Sequence, residues 1–163
     1  MSSTHDELAG VVDLFGALTH TELAAALGEL AFKQGKDVDE AALDAEIDTA
    51  ITAYALVEYE PTDSSHSEYT ETLIAVGPTA FPSLPPNAED LPHILDYERR
   101  SVDRERLATQ VRKRLTAEAS AAVEADETDR AAELLDVAYD IEMWVPVETG
   151  DIRAKLTTVL PQD

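Results

Sequence analysis

Most of the positive charge of this sequence lies in one short segment. Seven of the twelve lysines and arginines fall within sixteen residues, with Asp103 and Glu105 as the only acids between them. They are Arg99, Arg100, Arg104, Arg106, Arg112, Lys113 and Arg114. Guanidinium groups bind phosphate and carboxylate oxygens through paired hydrogen bonds, so the segment is a candidate site for a nucleic acid or an acidic partner. In so acidic a chain the same groups can instead pair with carboxylates of the protein itself, and we favour this second interpretation.

Residues that could carry out catalysis are few. The four histidines are His5, His20, His66 and His93, and no two of them have the spacing of metal ligands on a helix. A helix start accounts for His20 and a turn for His66, which leaves His93, near Asp96, as the one candidate for an enzyme pocket. For His93 too, we favour an ordinary surface or capping role. The sequence has no cysteine, no glycine-rich phosphate loop and no Gly-x-Ser-x-Gly motif. We therefore predict a protein that is not an enzyme, with no catalytic residue, cofactor or metal.

The overall charge predicts the setting of the protein. Asp and Glu number 34 against 12 Lys and Arg, for a formal charge of -22. Concentrated salt shortens the Debye length to about 3 Å at 1 M and so suppresses the repulsion that such a charge creates. We expect a halophilic cytoplasm rich in KCl. A mimic of a polyanion or a binder of basic partners is the alternative, although the acids are scattered over well-patterned helices instead of gathered in one tail. No apolar run approaches the roughly 18 residues of a membrane helix, and no signal-peptide pattern is present, so we expect no membrane partner.

The first half of the chain predicts three helices followed by a β-hairpin. Apolar residues at helical spacing predict a helix over residues 6–18, and a capping box from Thr19 to Glu22 begins a second that reaches about residue 34. A long acidic helix should begin at a cap on Asp37 and run to Tyr54. Residues 56–60 and 69–76 alternate with period two and predict the hairpin strands. This order of elements resembles a winged-helix domain, which we assign to residues 1–77.

That resemblance suggests DNA binding, with the third helix in the major groove. Between residues 37 and 54, however, the chain has six acids and no base. Affinity for DNA comes largely from neutralising phosphates. The charge of the third helix therefore argues against this mode of docking.

The second half of the chain predicts a connection and then more helices. Five of the eight prolines fall between residues 77 and 92, so this stretch is predicted to be extended and to contain no helix. We assign residues 78–100 to a proline-rich connection docked on the domain. Apolar residues among the prolines, such as Phe81, Leu84 and Leu91, indicate that this segment packs against the domain. Residues 101–163 should be helical, with a cap at Ser101, a helical hairpin over about 101–125 and 129–143, and a short helix over 151–159. The fold class is thus mainly α with a small β-hairpin.

Four stretches of the sequence are similar to an uncharacterised family of haloarchaeal proteins. They are Glu7–Leu18, Asp37–Asp44, Gly77–Pro82 and Asp90–Asp96. The similarity extends over nearly the full length and implies a halophilic archaeal origin. These stretches are not motifs of known chemistry, so the resemblance implies no activity.

Two functional hypotheses follow. The first is a non-catalytic binding or regulatory protein that acts through a protein partner or as a homodimer. The alternative is a transcription-associated protein that binds DNA or RNA through the basic segment Arg99–Arg114. They differ in whether those bases are exposed or covered by carboxylates.

Overall fold

The computed structural model describes residues 2–33, 35, 39–60, 72–85, 88–95, 97, 99–145 and 147–161. These residues form a mainly helical protein with a small antiparallel sheet, which confirms the predicted fold class. They divide into two compact units, Met1–Asp103 (unit 1) and Arg104–Asp163 (unit 2).

Unit 1 begins with helices α1 (Ser2–Phe15) and α2 (His20–Lys33). The predicted bounds of α1, residues 6–18, are wrong at both ends: the helix already includes Ser2, and it ends at Phe15 because Gly16 takes a φ of 79°. The predicted capping box at the start of α2 is confirmed in both directions. The Thr19 amide donates to Glu22 Oε1 over 2.9 Å, and the Glu22 amide donates to Thr19 Oγ1 over 3.1 Å. Two of the free amides at this helix end are thereby satisfied, which fixes the start of α2.

The acidic third helix, α3, spans Glu40–Thr52 and is shorter than predicted. Its N-cap is Asp39, whose Oδ1 accepts from the Ala42 amide over 3.3 Å. The predicted cap, Asp37, lies outside the described residues. Asp37 and Asp39 are both acceptable caps by residue type, so composition alone did not distinguish them.

A three-stranded antiparallel sheet packs with these helices in unit 1. Strands β2 (Leu56–Tyr59) and β3 (Leu73–Val76) form the predicted hairpin. Residues 61–71, which include the predicted start of the second strand at 69–71, lie outside the described residues. A third strand, β1 (Leu18–Thr19), was not predicted. It pairs with β3, so that Leu18 lies opposite Ile74 and the strand order is β1-β3-β2.

The core of unit 1 is formed by the apolar faces of its helices and of the sheet. Its buried members include Leu8, Val12, Phe15, Leu23, Leu30, Ile47, Leu56 and Ile74. The helical members recur at the spacing seen in the sequence, so the predicted faces of α1 to α3 point into the core, although Leu27, Leu43 and Ile51 are only partly buried.

The chain leaves α3 through Tyr54, which has a φ of 64°. The Ala55 amide donates to the Ala50 carbonyl and the Tyr54 amide to the Ile51 carbonyl, each over 3.0 Å. This pattern usually ends a helix at a glycine, whereas here the left-handed residue is a fully buried tyrosine. Thr79 supports the turn, because its amide donates to the Tyr54 carbonyl over 3.2 Å.

The proline-rich segment contacts unit 1 but is not entirely extended. Of the apolar residues expected to pack, only Leu91 is buried, whereas Phe81 and Leu84 are exposed. The Ser83 amide donates to the Asp6 carbonyl over 3.0 Å, and Leu91 is fully buried in the core. A 3-10 turn at Ala88–Asp90 leads into a short helix, α4 (Leu91–Leu95). The prediction that no helix could form here is wrong, because Pro92 occupies the first turn of α4, where its missing N–H has no helical partner to lose.

Unit 2 consists of α5 (Arg104–Glu124), α6 (Thr128–Trp144) and α7 (Gly150–Thr157). Helices α5 and α6 form the predicted hairpin, and α7 packs against both of them. Helix α5 begins at Arg104 instead of directly after Ser101. Its predicted core residues Leu107, Val111 and Leu115 are buried.

Candidate functional site

The first two bases of the predicted basic segment close the C-terminal end of α1. Arg99 Nη1 donates to the carbonyl oxygens of Asp13 and Leu14, over 2.9 and 3.0 Å. The backbone amide of Arg100 donates to the Phe15 carbonyl over 2.8 Å. The last carbonyls of a helix have no partner within the helix and carry partial negative charge, so a guanidinium there is favourable. Arg99 therefore acts as part of a helix cap.

The side chain of Arg100 joins this cap to the start of α2. Its Nη1 lies 2.5 Å from Glu22 Oε1 and 3.1 Å from the Ala17 carbonyl, and its Nη2 lies 3.1 Å from Glu22 Oε2. The guanidinium of Arg100 holds the pKa of Glu22 below its usual range, although partial burial opposes this effect. One carboxylate thus serves both the capping box and this ion pair.

Two further bases of the segment contact the end of α6 and the start of α7 within unit 2. Arg104 Nη2 donates to the Trp144 carbonyl over 3.2 Å, and its guanidinium carbon lies 5.0 Å from the centre of the Trp144 ring. Arg112 Nη2 lies 2.9 and 3.0 Å from the two carboxylate oxygens of Asp151, while its Nε donates to the Glu148 carbonyl over 2.9 Å. Both arginines hold elements of unit 2 together.

The last bases of the segment differ in exposure. Arg114 Nε lies 2.7 Å from Glu118 Oε2, and Arg130 Nη2 approaches the other oxygen of that carboxylate at 2.9 Å. Arg106 is half-buried and also has an interaction partner. Lys113 is exposed and has no ion pair with any residue that the structure describes. The boundary between the units falls after Asp103, so Arg99 and Arg100 belong to unit 1 and the other five bases to unit 2.

His93, the candidate for an enzyme pocket, is exposed on α4. It lines neither the cleft between α2 and α3 nor the cleft between α3 and the sheet. His66 and Asp96 lie outside the described residues. Among the residues that the structure describes, no three His, Asp or Glu side chains are arranged to hold a metal ion. None of the described helices is long and apolar enough to span a membrane.

A shallow cleft of about 460 Å³ lies between α2 and α3, and we call it the α2–α3 cleft. Its lining residues are His20, Thr21, Ala24, Ala25, Gly28, Glu40, Leu43 and Asp44. A second cleft, of about 320 Å³, lies between α3 and the sheet and is called the α3–sheet cleft. Its lining residues are His20, Asp48, Ile51, Thr52, Glu58, Thr72 and Ile74.

His20 lines both clefts, at the first position of α2. Its Nδ1 lies 3.8 Å from Asp44 Oδ1, and its Nε2 lies 3.9 Å from Asp48 Oδ1. Sequence reasoning assigned His20 to a helix start and missed this position between two carboxylates. The sequence feature that could have indicated this cleft is the run of small residues Ala24, Ala25 and Gly28 on α2, which leaves space beside that helix.

No curated protein and no solved structure matches this chain. A family profile does match, over residues 6–161, which is nearly the full length of the sequence. The chain therefore belongs to the Family of unknown function (DUF7109).

Proposed function

We propose that this protein is a non-catalytic binding protein with a regulatory role, and that it acts through contact with another protein. The proposal rests on the observation that arginines of the basic segment bind carbonyl and carboxylate oxygens of their own unit. Arg99 and Arg100 bind carbonyls and a carboxylate of unit 1, and Arg112 binds a carboxylate of unit 2. The charges of Arg100 and Arg112 are already paired with carboxylates, so they contribute little to neutralising phosphates, on which nucleic-acid affinity largely depends.

The surface of α3 supports the same proposal. Within Glu40–Thr52 the helix has four acids and no base, and these acids are exposed. The order α1, β1, α2, α3, β2, β3 supports a winged-helix-like interpretation of unit 1, in which α3 would be the DNA-reading helix. Its charge opposes a phosphate backbone and suits a basic protein surface.

The proposed setting is the cytoplasm of a halophilic archaeon, in high KCl. The support is the formal charge of -22, spread over both units. Concentrated salt screens repulsion between exposed carboxylates, so such a surface is tolerated there.

Binding to nucleic acid remains the second candidate, because Arg104 and Lys113 are exposed on α5. We would titrate a fluorescent random-sequence duplex with the protein at about 0.2 M and 2 M KCl. In parallel, the tagged protein would be cross-linked in its native host and its partners identified. We expect no saturable DNA binding and a stoichiometric protein partner or a homodimer. Saturable DNA binding that a Lys113→Gln variant weakens, with Lys155→Gln as control, would reverse the order of the two candidates.

A further inference from the structure

The floor of the α2–α3 cleft is apolar and made of small residues. Ala24, Ala25 and Gly28 contribute one side and Leu43 of α3 the other. Small side chains on a helix let another backbone approach closely, as at many helix–helix contacts. The cleft therefore has the shape of an unfilled helix-packing groove.

The face of α2 that lines this cleft continues to an exposed aromatic residue. Thr21, Ala25 and Gly28 are followed by Phe32 at the same helical spacing, and the Phe32 side chain is 75 % exposed. From Thr21 to Phe32 the face is about 17 Å long at about 1.5 Å per residue, which matches about three helical turns. Large exposed aromatic side chains next to a groove are typical anchors for a bound helix.

The rim of both clefts is acidic. Glu40 and Asp44 border the α2–α3 cleft, and Asp48 and Glu58 border the α3–sheet cleft. No lysine or arginine lines either of these clefts. Unit 1 as a whole has 21 acids against four bases. An occupant with apolar residues on one side and basic residues on its flanks would be complementary to this surface.

We propose that the α2–α3 cleft, extended by Phe32, binds an amphipathic basic helix of a partner protein. The apolar face of that helix lies on Ala25, Gly28 and Phe32, and its lysines or arginines face Glu40 and Asp44. This inference rests on the proposed function, since it identifies the chemistry of the protein partner.

The rim can be tested with a fluorescent 18-residue peptide of leucine and lysine in amphipathic helical order. Asp44→Lys reverses a charge on the rim, and Glu46→Lys makes the same change on the same helix at an exposed residue that lines neither cleft. At about 0.2 M KCl we expect Asp44→Lys to weaken binding about fivefold and Glu46→Lys less than twofold. Equal weakening by both variants would overturn the proposal, because it would indicate attraction to net charge alone.

The apolar anchor can be tested with Phe32→Ser. Phe81→Ser is the matched control, since Phe81 is 81 % exposed in the proline-rich segment and is not part of the α2 face. We expect Phe32→Ser to weaken peptide binding at least fivefold, and to keep this effect at about 2 M KCl, where charge is screened. Phe81→Ser should have less than a twofold effect. The proposal is wrong if the two variants behave alike, or if a leucine–glutamate peptide binds equally well.

These outcomes are separate from a failure of the proposed function. If neither Asp44 nor Phe32 affects peptide binding but the intact protein still cross-links to a stoichiometric partner, the cleft assignment fails and protein binding stands. If the duplex binds saturably and no protein partner is captured, the proposed function fails, and the docking proposal fails with it.

Discussion

Replacement of Gly16 by alanine tests how α1 is closed. Gly16 follows the last residue of α1 and has a φ of 79°, a conformation that disfavours any residue with a Cβ. A Cβ at this position would also overlap the carbonyl oxygen of Arg100 well inside van der Waals contact. The segment Arg99–Arg100, which caps α1, would therefore have to move.

The magnitude can be estimated by comparison with Gly35. That residue has a φ of 72°, but no atom of the described residues lies within 4 Å of a Cβ placed there. Gly35→Ala should therefore incur only the conformational cost, about 1 kcal/mol. Gly16→Ala has the same cost and also loses the hydrogen bonds of Arg99 and Arg100 to α1, each worth about 1 kcal/mol. With three such hydrogen bonds lost, we expect a decrease of about 4 kcal/mol in the free energy of unfolding.

Equilibrium urea unfolding of both variants and the wild type, at one fixed KCl concentration, measures this difference. The expected result is a midpoint shift for Gly16→Ala about four times that for Gly35→Ala, with unchanged slopes. Equal shifts would refute the reasoning, because they would mean that the backbone at Arg100 does not hold α1.

Three other substitutions have defined outcomes. Glu22→Gln should lower the free energy of unfolding at pH 7, because the folded-state pKa of Glu22 lies below its usual 4.5. The difference from wild type should vanish as the pH falls through that lowered pKa. Urea unfolding from pH 7 to 3 measures this dependence. Thr149→Val removes the buried hydrogen bond from Oγ1 to the Ala138 carbonyl and should lower the free energy of unfolding by about 1 to 3 kcal/mol in the same assay. The control Thr109→Val, at an exposed site, should lower it by less than about 0.5 kcal/mol. Burial and a neighbouring aspartate raise the pKa of Asp140, so Asp140→Asn should raise the melting temperature slightly at pH 7 and have no effect below pH 3.8, by thermal unfolding.

The elements could be predicted where short-range chemistry determines them. The capping box at Thr19 and the apolar spacing of α1, α5 and α6 depend on residues within a few positions of one another, and those predictions are confirmed. Strand β1 was not predicted, because a strand of two residues has no periodicity in the sequence and forms only through its pairing with β3. The left-handed backbone conformation of Tyr54 was not predicted, because that conformation usually requires glycine and is held here by tertiary contacts.

The partners of the basic segment were beyond sequence reasoning for a different reason. The sequence indicated that carboxylates were available, but Arg99 binds backbone carbonyls at the end of α1, and every residue carries such an oxygen. The α2–α3 cleft also depends on the packing of two helices, which no single stretch encodes. Long-range geometry, rather than charge or periodicity, decides both features.

The cap on α1 also constrains the order in which unit 1 can be completed. The hydrogen bond from Arg99 to Asp13 joins residues 86 positions apart, so the N-terminal helix is closed by one of the last segments of its own unit. During synthesis, α1 leaves the ribosome long before its cap exists, and loops of this length form slowly. A fragment ending at residue 77 contains α1, α2, α3 and the hairpin strands but lacks α4, with its buried Leu91, and the arginine cap. Unit 1 should therefore become protease-resistant only when the chain extends past residue 100.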